Sequence, residues 1–163
     1  MQPRTLKAEF LNALFGEDDL GVVVRTHIYI ESSINTLLDL LIPFPSELPR
    51  LRYEQKLRLC CAMGMHKSLF APLKELGDLR NAFAHKINAQ LSAESVAKLL
   101  RSVSQDDRQA IIRTYSTTRR DADPTLPSEF SELEPKSQLI GFALWLNATL
   151  DVLQDDARQR RSA

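Results

Sequence analysis

Pro72-Leu-Lys-Glu-Leu-Gly-Asp-Leu-Arg-Asn-Ala-Phe-Ala-His85 is the stretch whose reading decides the fold. At about 100° per residue, Pro72, Leu76, Leu79 and Phe83 form one apolar stripe, the mark of a helix packed on a core. Lys74, Asp78, Asn81 and His85 make a separate polar stripe. Arg80 lies at the margin of the apolar face, so its stem can rest on the core while its guanidinium reaches a polar partner. Asn81 and His85 are one turn apart and can act together from the opposite side.

The same period runs through nearly the whole chain, and strand-like alternation is almost absent. The spacing predicts a first helix from Arg4 to Phe15, stopped at Gly16, and a long second helix from about Asp19 to Ile42, ended by Pro43 and Pro45. A third helix is expected from about Leu51 to Met63, closed by Gly64, and a fourth from about Ala71 to His85 with Pro72 in its first turn. Ser92 opens a fifth, and Ser104 opens a sixth that reaches about Tyr115. Residues 117–135 carry Pro124, Pro127 and Pro135 and read as an extended surface crossing. A last, strongly apolar helix spans about Pro135 to Asp156. The expectation is a single all-α domain over residues 1–163, an up-and-down bundle of about six to seven helices.

Composition narrows the function. The chain has 163 residues, 44% hydrophobic and 26% charged, which is ordinary globular composition. Lys plus Arg and Asp plus Glu both number 21, so the net charge is zero, and a large basic face for nucleic acid is excluded. The charge is nonetheless uneven. Residues 43–86 hold eight basic and four acidic side chains, a local +4, and the first 42 hold three and six, a local −3. That distribution leaves room for a small anion-binding surface around the third and fourth helices. No glycine-rich nucleotide motif occurs among the five glycines. Cys60 and Cys61 are adjacent and read as small core-lining residues of a reduced protein. His27, His66 and His85 lack zinc-site spacing, so no metal and no cofactor are expected. No stretch is long and apolar enough for a bilayer or a signal-peptide core, which points to a cytoplasmic protein without a membrane partner.

In the second helix Val24, Ile28, Glu31, Ile34, Leu38 and Leu41 fall at helical spacing, which puts Glu31 inside the apolar stripe. A buried carboxylate needs a cation or strong donors. Arg80 is the expected partner, with Arg25 the other candidate. Glu31 then either fixes the Arg80 guanidinium for use at a site or only specifies helix packing. If the pair is buried, Glu31→Ala should cost roughly 3–5 kcal/mol.

Arg80-Asn81-Ala82-Phe83-Ala84-His85 resembles the Arg–x(4–6)–His motif of the HEPN superfamily (higher eukaryotes and prokaryotes nucleotide-binding domains), in which a polar residue typically follows the Arg. Over residues 20 to 95 the order of a Glu31-bearing helix, Lys56-Leu-Arg-Leu-Cys-Cys-Ala-Met-Gly and then Leu76 to His85 is similar to the mannitol operon repressor (MtlR/MltR)-like branch. The branch implies a cytoplasmic regulatory or interaction protein, a transcriptional regulator acting through protein partners. No helix-turn-helix is evident, since Gln105 to Tyr115 carries only Arg108 and Arg113.

Other HEPN proteins are metal-independent endoribonucleases, often toxins with antitoxin partners, whose motifs meet across a homodimer axis and whose products end in 2′,3′-cyclic phosphate. On that model single-stranded RNA is the substrate and His85 the general acid or base. Arg80 stabilises the phosphorane charge and Asn81 orients the phosphate, with Glu31, Lys74 and Asp78 in support. The helix C-terminal end favours a protonated His85, and Arg80 and Lys86 oppose that. The zero net charge and the lack of an aromatic platform for bases weigh against the nuclease. A non-enzymatic helical adaptor is the third reading.

Overall fold

The computed structural model describes residues 14, 16–86, 89–122, 125 and 127–162, and the expected first helix lies almost wholly outside them. Six α-helices and no strand occur among the described residues: α1 (Asp19–Leu41), α2 (Tyr53–Ala62), α3 (Phe70–Ala84), α4 (Ala93–Arg101), α5 (Gln105–Ala122) and α6 (Pro135–Ser162). The protein is an all-α bundle.

The caps follow from short polar side chains. Asp18 accepts the Gly21 amide at 2.7 Å and starts α1, Ser92 accepts the Ser95 amide at 3.1 Å before α4, and Ser104 accepts the Asp107 amide at 3.2 Å before α5; each satisfies an otherwise orphaned N–H. α1 ends where the Ile42 amide donates to the Leu38 carbonyl and Pro43 forbids continuation. Gly64, at φ +109°, supplies the left-handed turn after α2 that a side chain would strain.

α1 is the central element, packed by α6, α2 and α3. Its fully buried aliphatic residues are Val22, Val23, Ile30, Ile34 and Leu37. They meet Leu57 and Cys60 of α2, Leu73 and Leu76 of α3, and Leu139, Phe142, Leu146 and Leu150 of α6 in one continuous core. The buried face of α1 is therefore rotated from the expected one. Ile28, placed in the stripe by spacing, is 60% exposed, and Glu31 sits at the edge of the core. Apolar residues occupy several faces of α1, including three consecutive valines at 22–24, so periodicity alone does not select which face is buried.

Two helices run longer than expected. α5 continues past Tyr115 to Ala122, so the crossing begins later than residue 117 and contains a 3-10 turn at Phe130–Glu132. Tyr115 reaches over to it, donating to the Pro127 carbonyl at 2.7 Å and meeting Phe130 edge-on. α6 continues past Asp156 to Ser162 because its charged last turns pair internally, Arg158 with Asp155 at 2.6 Å and Arg160 with Asp156. Among the described residues no helix is long and apolar enough to cross a membrane.

Candidate functional site

The polar edges of α1, α2 and α3 and the loop from Pro45 to Arg52 enclose a cleft of about 990 Å³. α1 contributes His27, Glu31, Asn35 and Asp39 to its lining, and α3 contributes Lys74, Gly77, Asp78, Arg80 and Asn81. Tyr53, Glu54 and Lys56 of α2 close the third side. The α3 stripes are as the spacing predicts: Pro72, Leu76, Leu79 and Phe83 are buried, and Lys74 bridges to Asp78 at 2.6 Å one turn on.

Glu31 does not pair with Arg80. It accepts from the Lys56 ammonium of α2 at 2.7 Å and lies 3.8 Å from Nδ1 of His27, too far for a hydrogen bond. Arg25, the other expected candidate, binds Glu17 at 2.7 Å. Rotation of the α1 face turns Glu31 toward α2, where Lys56 can neutralise it without crossing the core. At 31% exposure Glu31 is half-buried, so the penalty for stranding it is smaller than a fully buried pair would give. Glu31→Ala is expected to cost about 1–2 kcal/mol, intermediate between exposed and buried pairs, read as a shift in the urea midpoint. A loss of 3 kcal/mol or more would restore the deeply buried pair.

Behind the ion pair sits a packed aromatic corner. His27 is 5% exposed, with its ring 4.5 Å from that of Tyr53. The Tyr53 hydroxyl donates to the Leu73 carbonyl at 3.0 Å, which fixes α2 against α3. Gly77 lets the ring lie against the α3 backbone, since a Cβ there would come 2.8 Å from Tyr53 Cε1. Burial pushes the Tyr53 phenol well above its ordinary range. Burial also lowers the His27 pKa; Arg80 and Lys56 push it the same way and the Glu31 carboxylate opposes them. The neutral imidazole is thus the form this fold favours.

Arg80 is half-buried and donates to Asn81 Oδ1 at 3.1 Å. Among the described residues it has no carboxylate partner. His85 caps the C-terminal end of α3, is exposed, and is not part of the cleft lining. The structure therefore gathers Glu31, Lys74, Asp78, Arg80 and Asn81 around one cleft and leaves His85 outside it. Spacing on single helices did not single out His27, Lys56 or Tyr53. The available signal was a lone Lys next to the buried Leu57 of α2, opposite the glutamate-bearing helix.

Cys60 is buried and its thiol is pushed up to about 12 by burial; Cys61 is half-buried and raised for the same reason. Neither is an activated nucleophile. Among the described residues no group of three or more His, Cys, Asp or Glu is placed to hold a metal ion. Comparison with protein-family models, curated proteins and solved structures found no match to this chain.

Proposed function

We propose that this chain is a cytoplasmic regulatory or interaction protein of the HEPN type, nearest the mannitol operon repressor-like branch, which acts through a second copy of itself and through a protein partner. One observation carries the choice over the nuclease: Arg80 opens into a cleft without an acidic partner among the described residues, while His85 lies outside that cleft. Phosphoryl transfer to a 2′-hydroxyl needs a proton-transferring group within hydrogen-bond reach of the atoms that the cation stabilises. A single chain offers the cation and the amide in the cleft without the exposed His85 imidazole, and the His27 ring that lines the cleft is buried against Tyr53, an arrangement suited to holding an anion rather than cleaving one.

The endoribonuclease is the second reading, favoured by the exposure of both Asn81 and His85 at one end of α3, where a second copy could reach them. Single-stranded RNA incubated with the purified protein and EDTA separates the two. The regulatory reading expects intact RNA, the same for wild type and His85→Ala. Fragments ending in 2′,3′-cyclic phosphate, lost in both Arg80→Ala and His85→Ala, would overturn it in favour of the nuclease.

A further inference from the structure

We infer that the cleft between α1, α2 and α3 is a binding site for a phosphate monoester dianion, with Arg80 as its principal cation. The inference goes beyond the regulatory reading and does not depend on it, because a seated dianion is compatible with control or with catalysis.

The charge inventory of the lining carries it. Three of the cleft's carboxylates already have cations: Glu31 has Lys56, Asp78 has Lys74, and Glu54 has Arg58 at 2.7 Å, a residue outside the lining. Asp39 is the remaining carboxylate. Arg50, Arg52 and Arg80 line the same cleft, and among the described residues none of them forms an ion pair. Three arginines against one carboxylate leave a surplus of two positive charges, the complement of a phosphate dianion. Arginine suits this task because its planar fork of donors matches phosphate oxygens and it stays charged at any working pH.

Shape and polarity agree. A cleft of about 990 Å³ is at the upper end of the range for small-molecule sites. The loop also contributes Pro45, Leu48, Pro49 and Leu51 to the lining, apolar surface for the body of a ligand whose phosphate meets the arginines. The Asn81 amide, held by Arg80, is positioned to donate to a phosphate oxygen through its nitrogen. The Tyr53–Leu73 hydrogen bond and the Lys56–Glu31 pair hold the walls before any ligand arrives. Preorganisation of that kind raises affinity by reducing the ordering that binding requires.

Titration of the full chain with inorganic phosphate at pH 7.5, followed by amide and imidazole NMR at constant ionic strength, tests this. The expected result is saturable shifts confined to the cleft residues, with dissociation in the millimolar range. Arg80→Gln should weaken binding by about tenfold or more, and the exposed Arg50→Ala should weaken it by a smaller factor. Arg113→Ala, on α5 outside the cleft, should leave it unchanged. Dimethyl phosphate, a singly charged diester, should bind several-fold more weakly than phosphate.

His27 gives an independent readout. The groups facing it are Glu31 of its own helix, Tyr53 and Lys56 of α2, and Arg80 of α3. An anion that offsets the Arg80 charge should raise the His27 pKa, and the rise should vanish in Arg80→Gln. Shifts that never saturate, equal weakening by Arg113→Ala, or a diester bound as tightly as phosphate would each overturn the inference. A phosphate site with no RNA cleavage leaves the regulatory reading standing, cleavage with a phosphate site overturns that reading alone, and absence of a phosphate site without cleavage removes this inference alone.

Discussion

Phe142→Ala is expected to lower the unfolding free energy by about 3–5 kcal/mol, the largest loss anticipated from a single substitution here. Phe142 is completely buried on α6, where its ring packs 5.7 Å from that of Trp145 and faces the α1 core. Truncation removes the transfer energy of an aromatic ring and leaves a cavity that two long packed helices cannot close by collapsing. For a chain of this length each kcal/mol moves the melting point by roughly 2–4 °C, so a drop of about 10 °C is expected. Circular dichroism melts at fixed pH would show it. A change of about 1 kcal/mol or less would mean that α6 is not docked on α1 as described.

Gly77→Ala has the second largest effect, and its sign is not obvious. Replacing a mid-helix glycine by alanine ordinarily stabilises by up to about 1 kcal/mol. Against that, the new methyl would lie 2.8 Å from Tyr53 Cε1 and 2.9 Å from Cδ1. The ring has little room to retreat, because its hydroxyl is tied to the Leu73 carbonyl and its neighbour is the buried His27 ring. Overpacking costs about 1–3 kcal/mol, and losing the Tyr53 hydrogen bond adds about 1 kcal/mol. Net destabilisation of about 1–3 kcal/mol follows. A double-mutant cycle checks the cause: in a Tyr53→Ala background the same substitution should become neutral or stabilising. If Gly77→Ala costs the same with and without the tyrosine, the close packing is not its origin.

The helices of this bundle were legible where the determinant is local. Asp18, Ser92 and Ser104 announce helix starts, Pro43 and Gly64 announce stops, and α1 to α4 lie within about two residues of the boundaries read from them. The ends of α5 and α6 were not legible. Residues 117–122 contain no breaker, and the last turns of α6 persist on pairs between arginines and aspartates that look equally plausible in a solvated tail. On α3 a single apolar stripe leaves one choice of buried face, so the wheel separated that stripe from Lys74, Asp78 and Asn81; it set Asn81 with His85 opposite Arg80, whereas Arg80 and Asn81 meet in one cleft and His85 stays outside it. On α1 several apolar faces compete, so the partner of Glu31 depended on how the helix is rotated, which only packing against α6 decides. Lys56, His27 and Tyr53 reach the cleft by tertiary contact between three helices, which periodicity within one helix does not report.

Arg161 donates to the Asp39 carbonyl at 2.9 Å, and Gln154 donates to the Ser33 carbonyl at 3.0 Å, so the end of α6 is tied to α1 across about 120 positions of chain. This bears on the order of folding. α2 and α3 are joined by a few residues and can meet early, whereas α1 and α6 must close a long loop before their contacts contribute anything. The α1 wall of the cleft therefore gains its backing from α6 only when that long loop closes. A newly made chain can bring Arg80 and the Tyr53–Leu73 contact together on α2 and α3 before α6 secures the His27 and Glu31 side of the cleft on α1.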